Sequence, residues 1–408
     1  MIGEVTLLPF PDVPMGRISW RGICYSPLML TLCLAVAFGA ELDLESALRE
    51  GMEESPYAEI LRAEREAALG EAQHSAALEN PSLEFEKTGE EVEWRASLPI
   101  PIAGQPILRW RRAALQRRGA DARFDERTAD LAAEIASAYL DVVRAEQWAK
   151  LSSDLSVDSE RVREAVVRLG EAGEISPIDR AMGETLALEA VSQAALAQQE
   201  ETTAKLKLEA LLGRSPTGEI DVVGWPDLPR PALVGLEDRP SVQVALEASR
   251  SAEAARTLAI LDRVPSPELT LGQRMHGESE PIVGIKLEIP LLAPGVGAVR
   301  TARAEMHHWR SELQIRRFEA EAQWSTADSE ERLAEAAWRR ISEVQGLQTA
   351  VEETSRAFLL GEFSASELAT RREHLVRALE IQLNARYRLE RARLELWRLQ
   401  GQIPGGAL

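Results

Sequence analysis

Few residues of this chain stand at spacings that chemistry could use. His307 and His308 are adjacent; on a helix such neighbours point about 100° apart and do not clamp one ion. Met275-His276 sits between two strand-like runs, and His74 and His374 stand alone. Gly295-Val296-Gly297 is a two-glycine turn before a helical pattern, not a phosphate loop. No nucleophile elbow and no His-Glu zinc pair occurs. The only cysteines, Cys24 and Cys33, give no disulfide framework and no cysteine metal site. The reading is therefore no catalytic residue, no cofactor and no resident metal. What stands out is a pair of break segments: Gly170, Glu171, Gly173, Glu174, Ser176 and Asp179, then Gly361, Glu362, Ser364 and Glu367. Glycine permits a tight reversal, and Ser176 and Ser364 suit helix N-caps. Their acids either complement a helix dipole or, in a ring of copies, gather cations at an opening; both readings stand.

The elements that carry these segments are written twice. Pro56 and Pro240 each open a helical pattern, Pro81 and Pro267 each precede a strand, and Gly173–Ser176 matches Gly361–Ser364. The offsets between copies stay within about 184–191 residues, which marks an internal repeat. Residues 40–213 form the first repeat, 214–239 a linker, 240–401 the second repeat and 402–408 a tail. Each repeat reads as a helix (57–79; 241–263), two strands (82–88 and 91–100; 267–275 and 281–290), a long helix (104–169; 296–360) and a further helix (176–212; 364–400). The second copy lacks an equivalent of the helix at 44–54. At 1.5 Å per residue each long helix spans roughly 100 Å, and the two shorter ones stacked end to end roughly match it. Leu131, Ile135, Ala138, Val142 and Ala145, and in the second copy Leu333, Ala337, Ile341, Val344, Leu347 and Val351, recur at coiled-coil spacing and are expected as core.

Composition agrees with long helices. Aromatics are 5% and charged residues 28% of the 408 residues, and the net charge of −19 argues against a nucleic-acid partner. Pro27–Phe38 is an apolar run after Arg17 and Arg21, too short to span a bilayer and followed by small residues at Ala37 and Gly39. It reads as a signal peptide, residues 1–39, with an N-terminal anchor and lipidation at Cys33 as alternatives. Met15 is a second possible start.

The strands alternate. Leu83 and Phe85, then Val92, Trp94, Ala96 and Leu98, oppose Glu84, Glu86, Glu93 and Arg95; Val283, Ile285 and Leu287 oppose Gly284 and Lys286. One apolar and one charged face suits a bilayer barrel with a wet lumen, though a soluble sheet alternates too. Four strands cannot close a barrel, and open edges do not survive in lipid. Two copies would give eight strands with a filled interior; three give twelve and a lumen, so a homotrimer is expected.

Residues 42–86 (LDLESALREGMEESPYAEILRAEREAALGEAQHSAALENPSLEFE), the crossings SLPIPIAGQPILRWRRAAL and EIPLLAPGVGAVRTARAEM, and RLGEAGEISPID at 168–179 resemble the TolC family of outer-membrane efflux proteins. The resemblance covers about residues 41–401. It implies a mainly α chain with a small β part: a long coiled-coil barrel plus four strands per chain in a shared trimeric 12-stranded transmembrane β-barrel. It further implies an outer-membrane duct with a large periplasmic part, with a periplasmic adaptor protein meeting the break segments and an inner-membrane pump as partner. The short hairpins depart from the family in leaving minimal surface loops. A soluble periplasmic coiled-coil scaffold with a small sheet is the competing reading.

Overall fold

Caps and prolines set the element boundaries. The computed structural model describes residues 41–89, 91–276, 278–287 and 295–404. Asp43 accepts the Ser46 amide at 2.7 Å and starts α1 (Leu44–Glu53), whose apolar side is buried. Ser55 and Pro56 start α2 (Pro56–Ala76). Strands β1 (Ser82–Thr88) and β2 (Glu91–Pro99) follow, then α3 (Gln105–Glu171), 67 residues without interruption. Helix α4 (Pro177–Leu212) ends on the left-handed Gly213. A single 3-10 turn (Leu236–Asp238) stands where the second copy was expected to lack a helix. Helix α5 (Pro240–Leu261), strands β3 (Pro267–His276) and β4 (Glu278–Leu287), and helices α6 (Val296–Ser342), α7 (Leu347–Leu359) and α8 (Ala365–Leu399) complete the described chain.

The four strands form one antiparallel sheet in the order β1-β2-β3-β4, so β1 and β4 are both edges. Helix α3 runs along α2 near the sheet and along α4 toward the far end, and also meets α5 and α8. Arg65 pairs with Asp121 at 2.6 Å and Ser75 with Gln116 at 2.6 Å on the α2 stretch. The main core gathers α1, α3, α4, the linker and α8 around Leu48, Ile135, Tyr139, Val142, Leu208 and Leu394. Gly51 is needed there, because a Cβ would come within 2.5 Å of Ile135. The Tyr139 hydroxyl donates to the Gly224 carbonyl at 3.2 Å and pins the linker onto this core.

Two expectations are corrected. The second long helix, expected over 296–360, is broken between Ser342 and Leu347. Gly346 takes φ +79°, which no helix interior accommodates, and its carbonyl accepts the Ala350 amide at 2.9 Å to restart the helix as α7. The stripe expected as core is buried only at Val351; Leu333 is 71% exposed. The inward positions of α6 are instead Met306, Leu313, Ala320 and Ala327, a seven-residue repeat that passes from large to small residues and turns Leu333 outward. Strand β4 also begins three residues earlier than expected, at Glu278. The expected signal peptide, the strand end at Ile289-Pro290-Leu291, the side chain of His276 and residues 405–408 lie outside the described residues.

Candidate functional site

The register assigns each strand residue to a face. Leu83, Ala96, Leu271 and Val283 lie in one row, and Phe85 and Trp94 pair in the next on the same face. This face is apolar and bare: Val283 is 75% and Ile285 76% exposed, and Leu83, Phe85, Leu98 and Leu271 are exposed too. The opposite face holds the charges. Glu93, only 9% exposed, pairs with Arg95 and lies 3.1 Å from Arg274. Arg274 also reaches Glu91 at 2.9 Å, and Lys286 reaches Glu268 at 3.6 Å. One face of the sheet offers hydrocarbon outward and the other gathers the ion pairs, the division that a lipid side and a wet side require. Among the described residues no helix is long and apolar enough to cross a membrane. The strands are the candidate spanning elements.

The far end of the helices carries the break segments. Helix α3 stops where Gly173 takes φ +75° and the Glu174 amide donates to the Leu169 carbonyl at 2.9 Å. Ser176 then caps α4, accepting the Asp179 amide at 3.0 Å while its hydroxyl donates to the Asp179 carboxylate at 2.8 Å. In the second segment Gly361 takes φ +78° and the Glu362 amide donates to the Ala357 carbonyl at 3.1 Å. Ser364 and Glu367 form a capping box: each backbone amide donates to the other's side chain, at 2.9 and 3.3 Å. These bonds, from the Ser364 amide first and its hydroxyl second, hold the Glu367 carboxyl below the usual carboxylate range.

Both segments are thus reversals capped by serine. A small core of Val162, Val166, Phe358, Ala365 and Leu368, flanked by Ile175 and Phe363, brings them together. Glu171, Glu174, Glu362 and Glu367 are exposed there, and Asp179 is half-buried under its cap bond.

Two features near the reversals escaped sequence reasoning. Gly183, in α4, lies against α3 so closely that a Cβ would meet Val166 at 2.8 Å. A lone glycine in a helical pattern is the only signal of this, and it reads equally as a tolerated weak spot. The second is a polar link across the two halves. Arg372 of α8 donates to the Leu155 carbonyl at 2.5 Å and lies 3.4 Å from Asp158, both on α3. The Ser355 hydroxyl of α7 donates to the same carboxylate. Burial pushes the Arg372 guanidinium below its ordinary range. An arginine 217 residues from its acceptor leaves no local pattern to find.

The histidines weighed for metal binding do not converge. His307 and His308 are exposed, and His308 meets only the ring of Trp309, edge-on at 5.3 Å. Among the described residues no group of three or more His, Cys, Asp or Glu is placed to hold a metal ion.

No family profile matches the chain. The cobalt-zinc-cadmium resistance protein CzcC of Cupriavidus metallidurans is 24% identical over 295 residues, 68% of this chain; the match spans 66% of that relative's length. The outer membrane protein VceC of Vibrio cholerae superposes with a TM-score of 0.75 at 16% identity, covering 88% of this chain and 96% of its own. The open state of the MtrE outer membrane channel of Neisseria gonorrhoeae gives a TM-score of 0.73 at 17% identity, with 89% of each chain covered. The chain has the fold of these outer-membrane proteins, as its resemblance to the TolC family implied.

Proposed function

We propose that three copies of this chain close a 12-stranded barrel in the outer membrane and continue it as a helical tunnel through the periplasm, forming the exit duct of a tripartite efflux system. The observation that carries this reading is the exposed apolar face of the sheet, with Val283 and Ile285 bare, set against a buried Glu93 on the other face. A soluble scaffold would bury the first pair and hydrate the second. Its two free edges need partners in hydrocarbon, where each unpaired backbone group costs several kcal/mol. Edge β4 of one copy pairing with β1 of the next satisfies both and closes the ring. Such head-to-tail pairing forms a ring when the rotation closes.

The duct does no chemistry. Its residues supply a wet path and a movable end. The capped reversals at 170–179 and 361–367 are the surface offered to a periplasmic adaptor, and an inner-membrane pump supplies the energy. The Arg372–Asp158–Ser355 link ties the α7–α8 end to α3, so releasing it lets the two ends separate and the tunnel open. CzcC, named for cobalt, zinc and cadmium resistance, makes divalent metal cations the first cargo to test. The exposed acids at the reversals favour cation entry. The test is membrane fractionation followed by conductance of the purified protein in a planar bilayer. Recovery with the outer membrane and discrete conductance steps are expected; recovery in the soluble periplasm overturns the reading.

A further inference from the structure

The start of α3 is out of character with the rest of the chain. Residues 105–120, QPILRWRRAALQRRGA, hold five arginines and no acid in a protein of net charge −19. Helical spacing puts Ile107, Trp110, Arg111, Arg117 and Arg118 on one face, and all five are exposed, Trp110 by 57%. Arg109 lies off this face and pairs with Glu79 at 3.1 Å. Arg111, Arg117 and Arg118 close no ion pair among the described residues. The second half repeats the arrangement: Val296, Arg300, Arg303 and His307 share an exposed face of α6, and neither arginine is paired among the described residues.

This face lies just beyond the sheet. Helix α3 starts six residues after β2 ends at Pro99, and the Ile100 amide donates to the Pro267 carbonyl at 2.7 Å, at the same end of the sheet. The bare apolar side of the strands is therefore followed by Ile107 and Trp110, then by arginines over roughly 12 Å of helix. Helical side chains lean toward the helix N-terminus, which is here the sheet end, so the arginines reach back toward it. An apolar band, a tryptophan, then cations is the order in which a bilayer presents hydrocarbon, interface and phosphate.

We propose that this face binds the anionic phospholipid headgroups of the membrane leaflet nearest the helices. The arginines hold the phosphates while Trp110 sits at the hydrocarbon boundary. The inference rests on the sheet lying in a bilayer. In the trimer the two faces of each copy make a basic collar that fixes how deeply the barrel sits. Charge complementarity selects the occupant: three unpaired guanidinium groups on one face repel a second copy of the same face and attract phosphate.

The test uses the full chain added to vesicles of phosphatidylcholine alone or with about 30% phosphatidylglycerol, comparing the native protein with the triple variant Arg111→Gln, Arg117→Gln, Arg118→Gln. The native protein is expected to partition about a hundredfold better into the anionic vesicles, each of the three arginines carrying about fivefold of that preference. The triple lysine variant keeps most of it, and ~0.5 M salt removes most of it. Insertion with no lipid preference, or a glutamine variant as lipid-selective as the native protein, overturns the inference and leaves the duct standing. A glutamine variant that no longer trimerises in lipid-free detergent also overturns it, because the face is then a subunit contact. Failure of the native protein to enter either vesicle overturns the membrane reading and this inference with it.

Discussion

Single residues decide how firmly the helix ends are held. Glu367 titrates below its ordinary range when folded because the Ser364 amide and hydroxyl donate to it. A carboxylate depressed in the folded state adds stability above its unfolded pKa and loses it as pH falls through the folded one. Hydrogen-exchange protection at the start of α8, relative to the unstructured rate at the same pH, is therefore expected to fall on acidification below the usual carboxylate range, and Glu367→Gln to abolish that dependence. Arg372 works differently, since its partners both lie on α3 and one of them, Asp158, also accepts from Ser355 of α7. Arg372→Met leaves the Asp158 carboxylate without its cation and the Leu155 carbonyl without its donor, at a cost of about 2 kcal/mol after allowing for the partial exposure of Asp158. If the link holds the tunnel end closed, the same variant raises single-channel conductance. At Gly183 the limit is space. Gly183→Val places branched carbon on Val166, and overpacking of about 1–3 kcal/mol outweighs any gain in helix propensity. Loss of protection in α3 and α4 near the reversal would register it.

Elements show which parts of the fold were legible. The strand alternation was readable because period two survives in a short run, and Phe85–Trp94 pairs on the face assigned from sequence. The caps were readable because Ser176 and Ser364 precede their helices by one residue. The break before α7 was not. Gly346 sits in a pattern of large apolar residues that continues across it, and the helix stops at Ser342 and restarts after the left-handed Gly346. The misplaced stripe has a related cause: large apolar residues at coiled-coil spacing suggest core, whereas α6 packs through alanines at 320 and 327. Leu333, left outward, belongs to an apolar strip on the single chain. Leu333→Glu is expected to leave the chain folded while lowering the fraction that assembles, read by cross-linking.

The strands carry a sharper prediction. Ile285→Arg puts a cation on the bare face and costs about 2–4 kcal/mol of folding into vesicles if that position lies near mid-bilayer. Thr270→Arg on the charged face is close to neutral. Equal effects in urea titrations of the two would mean that the faces are not lipid and lumen.

At the scale of the whole molecule, stoichiometry decides whether the sheet can enter a membrane. One chain supplies four strands with two unsatisfied edges, and no rearrangement of these elements seals them from hydrocarbon. The helices repeat the argument more softly, since Leu333 and its exposed neighbours lack a partner in one copy. In the proposed duct the reversals and the Arg372 link act once several copies bring them around a common opening. The most direct test is the mass of the purified full chain, measured by light scattering with and without detergent. Three copies in detergent, and none soluble without it, are expected; a stable single copy in detergent-free buffer contradicts the shared barrel.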